Sequence, residues 1–575
     1  MKRYWKYIRP YIQYYILGPC FMMMEVVGDV LLPYMLAKII NQGIAERNVV
    51  YIIKIGVIMG FIAVIMAVGG VLGAWFASKA AMNFGADLRM DLFEKIQQFS
   101  FQNIDNFSTG SLITRLTNDI TQIQNMIMMT LRMCLRSPGI LIGAMVMAFV
   151  ISPKLAAIFI IVLPVLAVLI VVIMRHAFPQ FRTLQEKLDA LNSCIQEGLV
   201  GIRLIKSFVR GDYEEMRFEK RNQQLKEANL TAMKTMLLYT PLMTLALNIT
   251  TVVVVWSGGN MIVAGNMQVG DLTAFTNYIV QIMSSLTMLS IAFLNWARAI
   301  ASFRRVGEVL DEKIDLTDEN AKHKDRAVCE GSVEFQNVSF RYYKNSPEWV
   351  IENISFKLEA GKTLGIIGST GSGKSTLVSM IPRLYDTDEG TVLIDGINVR
   401  DYGLKPLREG IGMVLQNNTL FSGSITENLK WGDEDADEKA VRKAAQNAQA
   451  AGFIDSFKDG YRTHLEQSGN NVSGGQKQRL CIARALLKCP KILILDDSTS
   501  AVDTATERAI REALHSEYKD MTKIIIAQRI RSVMDADEIL VLDNGKTAGF
   551  GTHEQLLADC PVYREIYDVQ NGREE

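Results

Sequence analysis

GSTGSGKST, residues 368–376, follows the apolar run TLGIIG and opens a stretch with helical periodicity. A β-type run, a glycine-rich loop and a helix start in that order read as a phosphate-binding loop. The glycines let the backbone come close, and its N–H groups together with the helix N-terminus surround an anion. Lys374 is expected to meet the β- and γ-phosphates and Ser375 to ligate Mg²⁺. Gly368, Ser369, Thr370, Gly371, Ser372, Gly373 and Thr376 complete the cradle, so the chain is expected to bind a nucleoside triphosphate.

Two further stretches lie outward from this loop. KILILDD, from Lys491, is a short apolar run bounded by polar residues, the pattern of a parallel strand buried on both faces. It delivers Asp496 and Asp497 to the carboxyl end of that strand, where open α/β sheets bind ligands. Asp496 is expected on the metal side and Asp497 beside the attacking water. VSGGQKQRLCIARALL, from Val472, sets Ser473, Gly474, Gly475 and Gln476 at the start of a second helix, another N-terminus offered to an anion. One subunit gains nothing from two such helix starts unless they serve different nucleotides, which favours a dimer with shared sites.

The rest of the chain is of another kind. With 575 residues it exceeds a single core, and long apolar runs stop near residue 300. Six segments are long and apolar enough to span a hydrocarbon layer: residues 12–37, 51–76, 131–151, 155–174, 236–263 and 272–297. Short connections alternate with two long ones, residues 77–130 and 175–235. The long ones and the N-terminus hold most of the Lys and Arg of residues 1–310, so by the positive-inside rule they and both termini face the cytoplasm. MKRYWKYIRPYIQYY reads as a basic, aromatic anchor at the lipid headgroups rather than a signal peptide, with Tyr4, Trp5, Tyr7, Tyr11, Tyr14 and Tyr15 at that level.

The long connections keep helical periodicity, so the spans are expected to continue as helices below the membrane. Each would carry a corner, near residues 103–110 and 209–215, towards a soluble domain. Residues 311–330 are charged and aperiodic and read as a linker between a membrane domain, 1–310, and a nucleotide-binding domain, 331–575. Sixty-one basic and 61 acidic residues balance, so no overall field argues for nucleic acid as a partner. Seven scattered cysteines form no metal-ligand spacing and read as reduced packing residues.

GSTGSGKST, Gln416 in VLQNN, VSGGQ, LILDDSTSAVD and IIIAQR stand in the order of the Walker A, Q-loop, signature, Walker B with D-loop, and switch motifs of ABC ATPases. With six spans in front, the whole chain resembles a half-transporter of the ABC exporter class. The resemblance implies six transmembrane helices with long cytoplasmic extensions followed by an α/β P-loop domain, with ATP and Mg²⁺ as ligands and a multi-pass place in the plasma membrane, the nucleotide-binding domain being cytoplasmic. It also implies that Tyr342 stacks on adenine, with Tyr343 the adjacent competitor. Gln416 would reach the Mg²⁺ and the membrane domain, and Asp503 the opposite subunit.

Two positions depart from that family's pattern. Asp497 stands where a glutamate polarises the attacking water, and Gln528 where a histidine contacts the γ-phosphate. The aspartate is one methylene short, and glutamine can neither carry a positive charge nor shuttle a proton. ATP should still bind, but hydrolysis at this site should be slow. A second, non-identical half-transporter would then supply the glutamate and histidine facing Ser473–Gln476 and Asp503. The stretch THLEQSGNN, with Gln467 in place of a glutamate, departs as well.

The cargo is less legible. Glu25 and Asp29, spaced i, i+4 in the first span, either attract cationic amphipathic substrates or pair with a base on another span. Methionines such as Met22, Met126 and Met145, and polar residues Asn248, Asn277, Gln281 and Asn295, either line a pathway or pack helices. Export of hydrophobic or amphipathic compounds is the expectation. A lipid or peptide exporter shares every motor motif, and a non-transporting ATP-binding regulator would also tolerate the weak site.

Overall fold

The computed structural model describes residues 2–344, 346–498 and 501–572. The chain divides into two compact units, Met1–Ile96 with Gly110–Asp311, and Gln97–Thr109 with Glu312–Glu575.

The first unit is helical. Among the described residues five helical segments are long and apolar enough to cross a membrane: Trp5–Ile44, Val49–Gln97, Thr109–Ile151, Pro153–Val200 and Gly211–Val263. The sixth expected span falls on the helix Val269–Asp311, in which Asn295 and several neighbouring side chains lie outside the described residues. The helix Val49–Gln97 runs for 49 residues with no proline to break it. At 1.5 Å per residue it is about 73 Å long, more than twice the hydrocarbon thickness, so it extends well beyond a span as expected. Gly69 and Gly73, one turn apart, face the helix Ile12–Lys38. A Cβ on Gly69 would lie 3.0 Å from the Phe21 carbonyl, and one on Gly73 only 2.4 Å from Met22 Cε, so small residues here let the two backbones approach.

Tyr7 packs inside the helical unit rather than on its surface. It is 3% exposed, edge-on to Phe84 at 5.5 Å, and its hydroxyl donates to Asp91 Oδ2 at 2.9 Å. A tyrosine can be buried this way because its polar tip finds an acceptor. The first corner is not a bare turn either. It is a helix, Phe101–Asn106, whose N-cap Ser100 forms a capping box with Asn103. The corner groups with the second unit: Asn103 Nδ2 donates to the Lys313 carbonyl at 2.9 Å, and Tyr385 donates to Asp105 Oδ2 at 2.8 Å. The second corner leaves Phe208 and Val209 exposed, Val209 with a left-handed backbone.

The second unit is α/β. Its strands are β1 (Val333–Phe340), β2 (Ile351–Leu358), β3 (Thr363–Gly368), β4 (Glu389–Ile394), β5 (Ile397–Asn398), β6 (Ile411–Val414), β7 (Gly423–Ser424), β8 (His464–Leu465), β9 (Ile492–Asp496), β10 (Thr522–Ile526), β11 (Glu538–Asp543) and β12 (Lys546–Gly551). The main sheet has the order β12-β11-β3-β10-β9-β6, parallel except for the edge strand β12. Every residue of β9 is buried, which is why ILILD is an unbroken apolar run rather than an alternating one. An antiparallel sheet, β2-β1-β4-β5, shares a core with it through Phe335, Ile354, Leu364 and Ile524.

Residues 312–330, read as a linker, belong to this unit. Leu316 and Val328 are buried, His323 N donates to the Asp401 carbonyl at 2.7 Å, and Asp318 accepts from Leu404 N at 3.1 Å. Two apolar residues among the charges were enough to anchor the segment. All seven cysteines are free thiols.

Candidate functional site

The phosphate loop joins the end of β3 to the helix Lys374–Ser379, between strands that converge on one end of the sheet. Gly371 and Gly373 adopt φ of +86° and +88°, a region that costs a residue with a Cβ. A side chain on Gly373 would also strike the Val350 carbonyl at 2.9 Å. The cleft so formed, about 330 Å³, is lined by Tyr342, Val350, residues 370–376, Gln416, Asp496, Asp497, Ile526 and Gln528. Gly368 and Ser369 form the loop's stem, their carbonyls accepting from Lys374 Nζ at 2.9 and 2.6 Å. Burial lowers the Lys374 pKa, opposed by the charges of Asp496 and Asp497. A desolvated ammonium folded back on two carbonyls is placed to turn outward to an anion.

Ser375 Oγ donates to Asp496 Oδ1 at 2.9 Å, and Asp496 is only 4% exposed. Burial raises its pKa, and the bond from Ser375 counters this. Asp497 follows with φ +47°, which aims its carboxylate sideways. Its Oδ2 accepts from Gln528 Nε2 at 2.8 Å, and Gln416 lines the same cleft. Burial raises the Asp497 pKa while the two amides and Lys374 favour its charged form. Tyr342, 37% exposed, lines the cleft and its hydroxyl shares a 2.9 Å hydrogen bond with Thr376 Oγ1, whereas Tyr343 is 76% exposed.

The remaining candidates do not line this cleft. Ser473 caps the helix Gly474–Leu487, accepting from Gln476 N while the Gln476 side chain bonds back to Ser473 N. Ser473 and Gly474 are exposed, and a Cβ on Gly475 would meet the Ala501 carbonyl at 2.8 Å. Asp503 caps the next helix, Thr504–Glu517, through Thr506 N at 3.0 Å.

The ABC transporter transmembrane region family matches residues 15–286, and the ABC transporter family matches residues 351–500. The relative named "Uncharacterized ABC transporter ATP-binding protein YfiB" of Bacillus subtilis (strain 168) is 39% identical over 574 residues, 100% of this chain and 99% of that protein. The chain belongs to the ABC transporter family. Another relative of this ABC transporter in the same organism, "Putative multidrug export ATP-binding/permease protein YgaD", is 33% identical over 99% of each chain. Among solved structures, "Structure of a bacterial Atm1-family ABC exporter with ATP bound" superposes with a TM-score of 0.81 over 98% of both chains, at 24% identity, which establishes the fold. This ABC transporter is thus an ATP-binding translocase of exporter architecture, its transmembrane and ATP-binding parts fused in one chain and the latter cytoplasmic.

Behind Tyr342 of its ATP-binding cleft packs a residue that the motifs do not point to. Tyr385 stands edge-on to Tyr342 at 5.3 Å and to Phe340 at 5.5 Å, and its hydroxyl reaches Asp105. No spacing rule joins residues 105, 342 and 385; only the fold makes them neighbours.

Proposed function

We propose that this ABC transporter is one half of a heterodimeric exporter. It moves hydrophobic or amphipathic compounds outward across the plasma membrane and keeps ATP in a weakly hydrolytic site of its own. The observation that carries the reading is the 2.8 Å bond between Gln528 and Asp497. A short carboxylate tied to a neutral amide has neither the reach nor the proton relay that a water-activating pair needs.

ATP binding calls on groups that remain. Lys374 and the loop N–H groups meet the phosphates, Ser375, Asp496 and Gln416 hold Mg²⁺, and Tyr342 stacks on the base. Bound Mg²⁺ would neutralise phosphate charge; the side chains around it orient and enclose. Ser473, Gly474 and Asp503 are exposed and Gly475 and Gln476 half-buried, all outside this cleft, which suits them to a nucleotide held by a partner subunit. Membrane lipids and a small amphipathic substrate complete its partners.

Purified alone, the chain should bind ATP and turn it over slowly. Co-expression with a half-transporter that has the glutamate and histidine in place should raise turnover at least about tenfold, some 1.4 kcal/mol in barrier. Brisk steady-state hydrolysis by the chain alone would contradict the asymmetric pairing. Replacing Tyr342 by alanine should weaken ATP binding by about tenfold, since base stacking on an aromatic ring contributes about 1–3 kcal/mol. Equilibrium titration with a fluorescent ATP analogue checks this, and Tyr343→Ala should leave affinity within about twofold.

A further inference from the structure

Behind the nucleotide cleft lies a larger cavity of about 850 Å³. Side chains alternate along a strand, so where Ile526 of β10 lines the nucleotide cleft, Lys523 and Ile525 fall on the opposite face of the sheet and line this second cavity. Thr363 on the neighbouring β3, Arg511 and Leu514 on the helix Thr504–Glu517, and Met534 complete the part that matters here.

Lys523 is 4% exposed, and among the described residues its ammonium has neither a hydrogen-bond acceptor nor an ion-pair partner. Asp537, the carboxylate that acts on it most, is already engaged: its Oδ1 binds Lys362 Nζ at 3.0 Å and its Oδ2 accepts from Thr363 N at 2.8 Å. Burial therefore pushes the Lys523 pKa down, with Asp537 and Asp520 resisting at longer range.

The lining carries Arg508, Arg511, Lys523 and Arg531 against Glu512 and Asp535. Glu512 is held by Arg508 at 2.9 Å and Asp535 by Arg511 at 3.4 Å, which leaves the cavity cationic. Arg511 Nε is a buried donor without an acceptor among the described residues. A largely buried lysine beside an apolar wall, with no carboxylate paired to it among the described residues, is an unfavourable arrangement unless something answers it. The volume suits a small organic molecule.

We propose that this cavity binds a small amphipathic anion, a carboxylate or phosphate monoester on a compact apolar body. Lys523 meets the anionic group, and Ile525, Leu514 and Met534 meet the body. The occupant sits against the strand that leads to Gln528 and the helix that Asp503 caps, yet touches neither of these two residues.

Lys523 itself provides the readout. The full-length chain in lipid nanodiscs, its nucleotide cleft filled with a non-hydrolysable ATP analogue, is treated with pyridoxal phosphate, borohydride fixes the imine, and peptide mass spectrometry follows each lysine. Lys523 should be labelled about tenfold faster than the exposed Lys458, because burial lowers its pKa and so raises the share of free amine that can attack the aldehyde, while its ammonium form meets the anion. Phenyl phosphate and benzoate should each slow that labelling severalfold, whereas equal concentrations of inorganic phosphate or benzyl alcohol should not. Slow labelling of Lys523, absence of protection by both anions, or equal protection by either control overturns the proposal. Calorimetry with phenyl phosphate gives a second measure. Lys523→Met, which replaces a buried charge by an apolar side chain and should fold, is expected to lose at least about tenfold in affinity; unchanged affinity would also overturn it.

Discussion

Asp497→Glu combined with Gln528→His should raise ATP turnover of the chain on its own by about a hundredfold, because a reacting group misplaced by about 1 Å costs a rate factor of that size. The structure says why both changes are needed. Asp497 is bound by Gln528 at 2.8 Å, so a glutamate alone would remain tied to that amide. A histidine alone would face a carboxylate still one methylene short. Each single substitution should therefore give less than a tenth of the gain of the double. Steady-state phosphate release is the measurement, with nucleotide affinity checked in parallel. Affinity should stay within about twofold, since Lys374, Ser375 and Asp496 are untouched. A double variant that is no faster than the natural chain would place the defect elsewhere, Gln467 being the next departure to restore.

Arg136→Ala should destabilise the membrane unit on the order of 3 kcal/mol, the lower end for breaking a buried ion pair, since these side chains are only partly enclosed. Arg136 Nη2 lies 2.9 Å from Glu25 Oε1 and 3.3 Å from Asp29 Oδ2. Gln281 Nε2 also donates to the Asp29 carbonyl oxygen at 2.7 Å. Of the two roles open to Glu25 and Asp29, pairing with a base on another helix is therefore the one the geometry favours. Removing the arginine strands two carboxylates in an apolar setting; removing all three charges does not. Glu25→Gln/Asp29→Asn/Arg136→Met should accordingly recover most of the thermal stability lost in Arg136→Ala, measured in detergent solution by intrinsic fluorescence. Replacing only the two acids, by Gln and Asn, should reduce export of cationic and neutral dyes alike. A loss confined to cationic dyes would return these carboxylates to substrate recognition.

The phosphate loop, β9 and the helix after Val472 were legible because each is local: a spacing, an apolar run and a cap are written in consecutive residues. The long helices were legible for the same reason. The partner of Glu25 and Asp29 was not, because Arg136 is over a hundred residues away and only helix packing brings it near. The same holds for the burial of Tyr7 against Phe84 and Asp91, residues some eighty positions away. Residues 312–330 looked like a bare linker because charge dominates their composition, yet Leu316 and Val328 fasten them down.

By itself the sequence settled which chemistry is present: a triphosphate cradle, a shortened carboxylate, a neutral amide where a proton carrier would serve, and apolar helices for a membrane. Those are properties of residue type and near-neighbour spacing. Tertiary structure alone decided what each group faces: that Gln528 spends its amide on Asp497, that Arg136 answers two acids, and that Lys523 lines a cavity with no carboxylate paired to it among the described residues. Pairing across long stretches of chain depends on how strands and helices pack, and burial then fixes how strongly each charge is felt.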